Sequence, residues 1–361
     1  MKLRNVARRI CLLWLTVVAA LGCQSVVSSK LSPPPPEPIV FFDWVDDVPM
    51  SVFDRFTAET GIPVRYETYE SQEEALDRIR AGERVDVLVL ENRLVPVAAG
   101  EGLIVELDLG HIPNFVNISP SFRDLIYDPG NRFSIPFNWG TTGLVFRRDL
   151  VYEPVTRWAD LWDLRYAGRV AVWRGQPREV VGIALKTLGF SANSEDPRQL
   201  EAALSRLLEL RPHVRFIEDI DPETSARALA NGEIWIAHGW AGDVLEGRAL
   251  NPNIDYALPQ EGAFLWGDNF TISRTTRDIR QAETLIDFLL RPEIAAEIAN
   301  ANHYATANLA ALPLIDPEIR FDPVVFPGPQ SLGGAEIVLP LSPEGQALYD
   351  DIWERFLSAG P

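Results

Sequence analysis

The chain has 361 residues, 47% of them hydrophobic, with 33 Lys and Arg against 51 Asp and Glu and a net charge of −18. So acidic a chain is poorly suited to nucleic acid and well suited to cationic ligands. Its two cysteines are Cys11 and Cys23; Cys11 falls inside a cleavable leader, so the mature protein has no intramolecular disulfide to rely on and must be stabilised by core burial.

In chain order, Lys2, Arg4, Arg8 and Arg9 precede an apolar run from Ile10 to Leu21 and then Gly22-Cys23. This is the pattern of an export signal over residues 1–22, too short for a stable membrane span. Gly22-Cys23 also has the shape of a lipoprotein processing site, which would leave Cys23 as the lipidated N-terminus; ordinary cleavage with a free Cys23 is the alternative. Loss of the four basic residues takes the charge from −18 to −22. Residues 23–38 include Pro33 to Pro36 and read as an extended polyproline tether of about 3.1 Å per residue.

Beyond the tether, strand and helix patterns alternate. Strands are expected at 39–44 (IVFFDW), 62–70 and 85–91 (VDVLVLE), with helices from Val48 to Thr60, stopped by Gly61, and from a Ser71 cap to Ile79. The pattern recurs with strands at 169–174, 214–218 and 233–239, and helices over 178–188, 197–210 and 224–231. Two β-α-β progressions of this kind predict an α/β protein of two lobes, each a mainly parallel sheet flanked by helices. The segments 133–149 and 263–273 look like long strands crossing between the lobes, with Gly140, Gly143 and Gly267 as bending points of a hinge. A helix at 343–358 carries an apolar stripe of Leu348, Ile352, Trp353 and Phe356 that should pack on a lobe.

Ligand contacts in such sheets come from loops at the carboxyl ends of strands. There the sequence places Trp44, Asp46 and Asp47; Glu91 and Arg93; Gln176 and Glu179; Trp240; and, in FLWGDNFTI, Trp266 and Asp268 two apart on one strand face. Singly, each Trp reads as core and each Asp as a cap or turn, Asp46 as a cap for the helix near Val48. Together they form a cleft for an ammonium ligand with an aliphatic body: carboxylates pair with amine ends, and indole faces cover methylenes and attract cationic nitrogen. No Ser-His-Asp order, metal-spaced histidine pair or phosphate loop accompanies them, so no enzymatic activity, metal or cofactor is expected. A carboxylate-pair hydrolase is the enzymatic alternative, and a sensor for another cationic or zwitterionic amine is the non-enzymatic one.

Many ordered stretches, among them DWVDDVP, SIPFNWGTTG, REVVGIALKTLG, NGEIWIAHGW, EGAFLWGDNFTI and LIDFLLRPEIA, resemble the periplasmic spermidine and putrescine binding subunits of ABC importers. The resemblance implies the two-lobe periplasmic-binding-protein fold of type II, with lobe 1 over 39–143 and 267–312 and lobe 2 over 144–266 and 313–361. It implies a monomer in the periplasm, no nucleic acid, and as partners a polyamine, an ABC permease and, through the anchor, a membrane. It places amine-binding carboxylates on Asp46, Glu179 and Asp268, and aromatic walls on Trp44, Trp240 and Trp266. The chain departs from the family at Gln176, where an aspartate is usual, at Asp47 for a tyrosine, and at Glu91 and Arg93 for a serine and a tyrosine. Arg93 is then either a structural ion pair, with Glu91 or Asp47, or a partner for an anionic group on the ligand.

Overall fold

The computed structural model describes residues 36–69, 71–217 and 222–360, so the leader, Cys23 and most of the tether lie outside the described residues. The last tether residues are not free of the fold. Glu37 pairs with Arg84 at 2.8 Å and with Arg277, and the Pro38 carbonyl accepts from Arg84 at 3.0 Å. The folded body therefore starts at Glu37 rather than at Ile39.

Strands β1 (Ile39–Asp43), β2 (Val64–Thr68) and β3 (Val87–Glu91) are parallel, joined by helices Met50–Thr60 and Gln72–Arg80. All five residues of β1 are buried, as a strand covered on both faces requires. Gly61 stops the first helix at φ +74°, a left-handed conformation that glycine adopts without Cβ strain, and the Ser71 side chain caps the second by accepting from the Glu74 N–H at 3.2 Å. The first helix starts at Met50 behind Pro49 with no side-chain cap, so Asp46 is released from the capping role expected of it.

A second parallel set follows the long strand β4 (Ser134–Arg147): β5 (Val170–Trp173), β6 (Val214–Ile217) and β7 (Ile236–Trp240), the first two joined through helices Pro177–Thr187 and Pro197–Leu210. Strands β8 (Ile254–Ala257) and β9 (Phe264–Ile272) follow, each antiparallel to β4. The strand order β2-β1-β3-β9-β4-β7-β5-β6 runs as one continuous sheet, with parallel triplets at its two ends and antiparallel β9 and β4 in the middle. The expected crossovers are thus sheet members, hydrogen-bonded to each other and to both triplets. This is the two-lobe α/β architecture expected from the sequence.

Each end of the sheet has its own apolar cores. At one end Phe41, Phe53, Phe56, Phe137 and Phe270 pack with helix Ile279–Leu289, and Phe42, Leu76 and Leu88 pack on the opposite face. At the other, Trp158, Val172, Leu204 and Phe264 pack with Tyr349, Ile352 and Phe356 of the C-terminal helix Pro343–Ser358. Each such side chain contributes about 1.5–3 kcal/mol by leaving water.

Two of the three proposed bending glycines are required for another reason. A Cβ at Gly140 would lie 2.4 Å from Trp266 Cζ2, and one at Gly143 would lie 2.6 Å from the Ala257 carbonyl oxygen. Both are places of close approach. Gly267 differs: it pairs with Trp139 where the β4–β9 register shifts between Pro136 and Trp139, so that two residues, Phe137 and Asn138, stand against Asp268 alone. Because the oxygen facing Gly143 belongs to the backbone of β8, it cannot rotate away. Gly143→Ala should cost about 1–3 kcal/mol of stability, read as a lower denaturation midpoint with an unchanged slope; an unchanged midpoint would show that β8 moves freely.

Candidate functional site

The carboxyl ends of β1, β3 and β7 meet the middle of β9 around a cavity of about 710 Å³. Eight of the ten sequence-predicted residues line it: Trp44, Asp46, Asp47, Glu91, Gln176, Trp240, Trp266 and Asp268. Trp266 and Asp268 share the cavity face of β9, as their spacing of two demands. Asp46 adopts a positive φ of 59°, a conformation aspartate tolerates better than most residues, and this turn lets Trp44, Asp46 and Asp47 all reach the cavity from one short loop.

The remaining two predicted residues lie behind the wall. Arg93 Nε donates to Glu91 Oε2 at 2.7 Å and its Nη1 to Glu73 Oε1 at 3.0 Å, so of its two expected partners it takes Glu91 and leaves Asp47 alone. Glu179, in the first turn of helix Pro177–Thr187, is buried, and its Oε1 accepts from the Thr142 hydroxyl at 2.7 Å.

The inner carboxylates are held by neutral amides. Asn138 Nδ2 donates to both Asp47 oxygens at 3.0 and 3.1 Å, and Asn302 Nδ2 donates to Asp47 Oδ1 at 2.8 Å. Gln72 links two strands, accepting from the Glu91 N–H at 2.8 Å while its amide nitrogen stands 3.4 Å from Asp268 Oδ1. Asp268 sits directly opposite Glu91 in the β3–β9 ladder, a like-charge pairing that destabilises a sheet unless something offsets it. Deeper still, Asp43 is fully buried at the end of β1; its Oδ1 accepts from the Trp44 N–H at 2.8 Å and its Oδ2 has no partner.

Burial therefore works against the charged forms. Desolvation, then the nearby Asp47 and Asp268, push the Asp43 carboxyl well above its ordinary range. Desolvation followed by Glu91 and Asp47 does the same to Asp268, with Gln72 and Trp44 opposing. Asp47 is pushed up to about 6 by burial although both asparagines favour its charged form, and Glu179 is pushed up to about 7, again mainly by burial. Among the described residues, no Lys or Arg forms an ion pair with Asp43, Asp47, Asp268 or Glu179.

Aromatic planes complete the wall. Trp44 packs edge-on against Tyr69 with centroids 4.8 Å apart, Trp240 leans on Trp173 at 5.2 Å, and Trp266 meets Tyr304 edge-on at 5.1 Å. Sequence reasoning missed several residues of the site. Asn302, His303 and Tyr304 reach it because helix Pro292–Asn302 ends in a left-handed His303 at φ +62°. Glu246, Leu245 and Leu250 line it from helix Ala241–Leu250. Asp43 was readable only as the end of a strand, although an acid closing an apolar run at its carboxyl end was a usable signal. Among the described residues no group of His, Cys, Asp and Glu is arranged to hold a metal ion.

A model of the bacterial extracellular solute-binding protein family matches residues 51–327. The chain belongs to this family. This solute-binding protein is similar to the spermidine/putrescine-binding periplasmic protein of Escherichia coli, at 33% identity over 350 residues covering 96% of this chain and 99% of the relative. It is 27% identical to the putrescine/agmatine-binding protein of Pseudomonas aeruginosa, with 96% and 98% of the two chains covered. Among solved structures it resembles the spermidine/putrescine transporter substrate-binding protein of Streptococcus pneumoniae, with a TM-score of 0.81, 32% identity, and 90% and 99% of the chains covered.

A carboxyl whose value is raised by folding carries a proton in the native state that the unfolded chain has already released. Such groups support the folded state below the ordinary carboxylate range and withdraw that support as pH rises through about 6 for Asp47 and about 7 for Glu179. The ligand-free protein should accordingly lose stability between pH 5 and pH 8, measured by urea denaturation at constant ionic strength. Replacing Asp47 by Asn should flatten that fall, and an equally steep fall in the variant would mean that Asp47 is ionised throughout.

Proposed function

We propose that this chain is the substrate-binding component of an ABC importer and captures a polyamine, spermidine or putrescine, in the cavity between its lobes. The carrying observation is a set of buried carboxylates, Asp47 and Asp268 with Asp43 beneath, that accept from neutral amide groups and, among the described residues, pair with no Lys or Arg, beside three indoles. In a desolvated cleft each unpaired carboxylate costs several kcal/mol, which an ammonium group offsets with charge-assisted hydrogen bonds. Trp44, Trp240 and Trp266 flank the methylene body, each cation–π contact contributing about 0.5–2 kcal/mol. The names of the Escherichia coli, Pseudomonas aeruginosa and Streptococcus pneumoniae relatives favour the same ligand class.

In this reading Asp46, Asp47, Glu91 and Asp268 receive the amine from lobe 1 (39–143 and 267–312), and Gln176 with Glu179 behind it from lobe 2 (144–266 and 313–361). Arg93 is the ion pair that fixes Glu91 rather than a ligand contact, in keeping with its 2.7 Å bond to that residue. The hinge closes because a bound cation removes the penalty of shutting acids away from water, and the closed form delivers its cargo to a permease without chemical turnover. Cys23 carries a lipid anchor at the periplasmic face of a membrane, and residues 24–36 are the spacer.

Asp268→Asn should weaken putrescine binding at least tenfold, since a desolvated ammonium loses a charged partner; unchanged affinity by calorimetry would remove Asp268 from the site. Cys23→Ser should move the protein from the membrane fraction to the soluble periplasmic fraction, and continued sedimentation with membranes would refute the anchor.

A further inference from the structure

Immediately behind the cavity wall two buried polar side chains face each other without any other partner at the facing atoms. His238 on β7 is 1% exposed, and its Nδ1 accepts the backbone N–H of Trp173 at 3.3 Å. A ring nitrogen that accepts carries no proton, so in the neutral imidazole the proton sits on Nε2. That nitrogen lies 3.7 Å from Glu179 Oε2, and neither atom has a hydrogen-bond partner. The other Glu179 oxygen accepts from Thr142 at 2.7 Å. A histidine that merely fills a core usually satisfies both nitrogens; here the second is aimed at a carboxylate.

We infer that His238 is a positioning residue for Glu179: its Nε2–H, with the Thr142 hydroxyl, orients the carboxylate and favours its charged form one layer behind the cavity, where it attracts an ammonium group lying against Gln176. This rests on the amine-binding reading of the cleft. Gln176 lines the cavity as the residue just before helix Pro177–Thr187, and Glu179 lies three residues on, in the first turn of that helix. The start of the helix also favours a negative group there. The remaining charges acting on Glu179 come from across the cleft, Glu91 opposing its ionisation and Arg93 assisting it. Burial holds the imidazole neutral, with its value pushed down to about 3, so His238 acts as a fixed donor across the physiological range and not as a proton-exchanging switch. At 3.7 Å the pair stands about half an ångström beyond hydrogen-bonding distance, so the inferred bond forms when that gap contracts.

The tautomer can be read directly on the intact folded protein from the ¹⁵N shifts of the His238 ring. A neutral ring protonated on Nε2 from pH 5 to 8 is the expected result; an Nδ1–H tautomer or a charged ring overturns the inference. In calorimetry, His238→Leu should weaken putrescine binding about tenfold, the value of one hydrogen bond to a charged group, and His238→Gln, which keeps an N–H donor, should stay within about threefold. Affinity should rise with pH as the cleft carboxyls ionise, and His238→Leu should displace that rise toward higher pH, because a carboxyl without its donor is harder to ionise. Wild-type affinity and an unshifted profile in His238→Leu, alongside lost binding in Glu179→Gln, would overturn the role of His238 and leave the amine site standing. Wild-type affinity in Glu179→Gln would instead remove Glu179 from the amine site and the present inference with it. If His238→Leu fails to fold, the ring tautomer and His238→Gln decide the matter.

Discussion

Carboxylates gathered where water is scarce impose the main constraint on this molecule. Asp43, Asp47, Glu91, Asp268 and Glu179 approach from β1, its loop, β3, β9 and the helix after β5, and four of the five are buried. A fold could tolerate this by supplying arginines, but Arg93 is committed to Glu91 and Glu73; Asp47, Asp268 and Glu179 are met by Asn138, Asn302, Gln72 and Thr142, and Asp43 by the Trp44 N–H alone. Amides and hydroxyls satisfy lone pairs without cancelling charge, so each of these carboxyls, once ionised, adds negative potential to the cleft. Several buried polar atoms without partners, on Asp43, Asn138, Glu179, His238 and Trp266, cluster around this one region, as expected where structure has been shaped for a guest.

The sheet makes that arrangement possible. Because β9 pairs with β3 on one side and β4 on the other, Asp268 is fixed in register opposite Glu91 and beside the bulge that carries Asn138. The same two central strands run onward to the second lobe, where Gly140 leaves room for Trp266 and Gly143 for β8. The strands that join the two ends of the sheet are thus the same strands whose side chains line the cavity.

Much of this was legible in the residues. The buried runs VDVLVLE and IVFFDW, the glycine stop at Gly61, the cap at Ser71 and the apolar stripe of the final helix all depend on local chemistry and reappear within a few residues of their expected bounds. The pairing of Trp266 with Asp268 on one face follows from the two-residue period of a strand, which no tertiary contact can alter.

What the chain alone determined, then, was the sequence of elements, the acidic balance and the presence of indoles and carboxylates at strand ends, because each is set by neighbours within a few positions. Tertiary structure decided which of those groups reach the cavity. Arg93 pairs locally with Glu91, and Glu179 is held by the Thr142 hydroxyl, a contact made only when the sheet assembles; neither lines the cavity. Asn302 and Tyr304 entered the cavity from a segment remote in sequence, and two of the three glycines proposed as bending points, Gly140 and Gly143, stand where Trp266 and β8 approach too closely for a Cβ. Apart from the Arg93–Glu91 pair, which is local, these outcomes depend on distances between segments remote in the chain, and those distances exist only once the strands have paired.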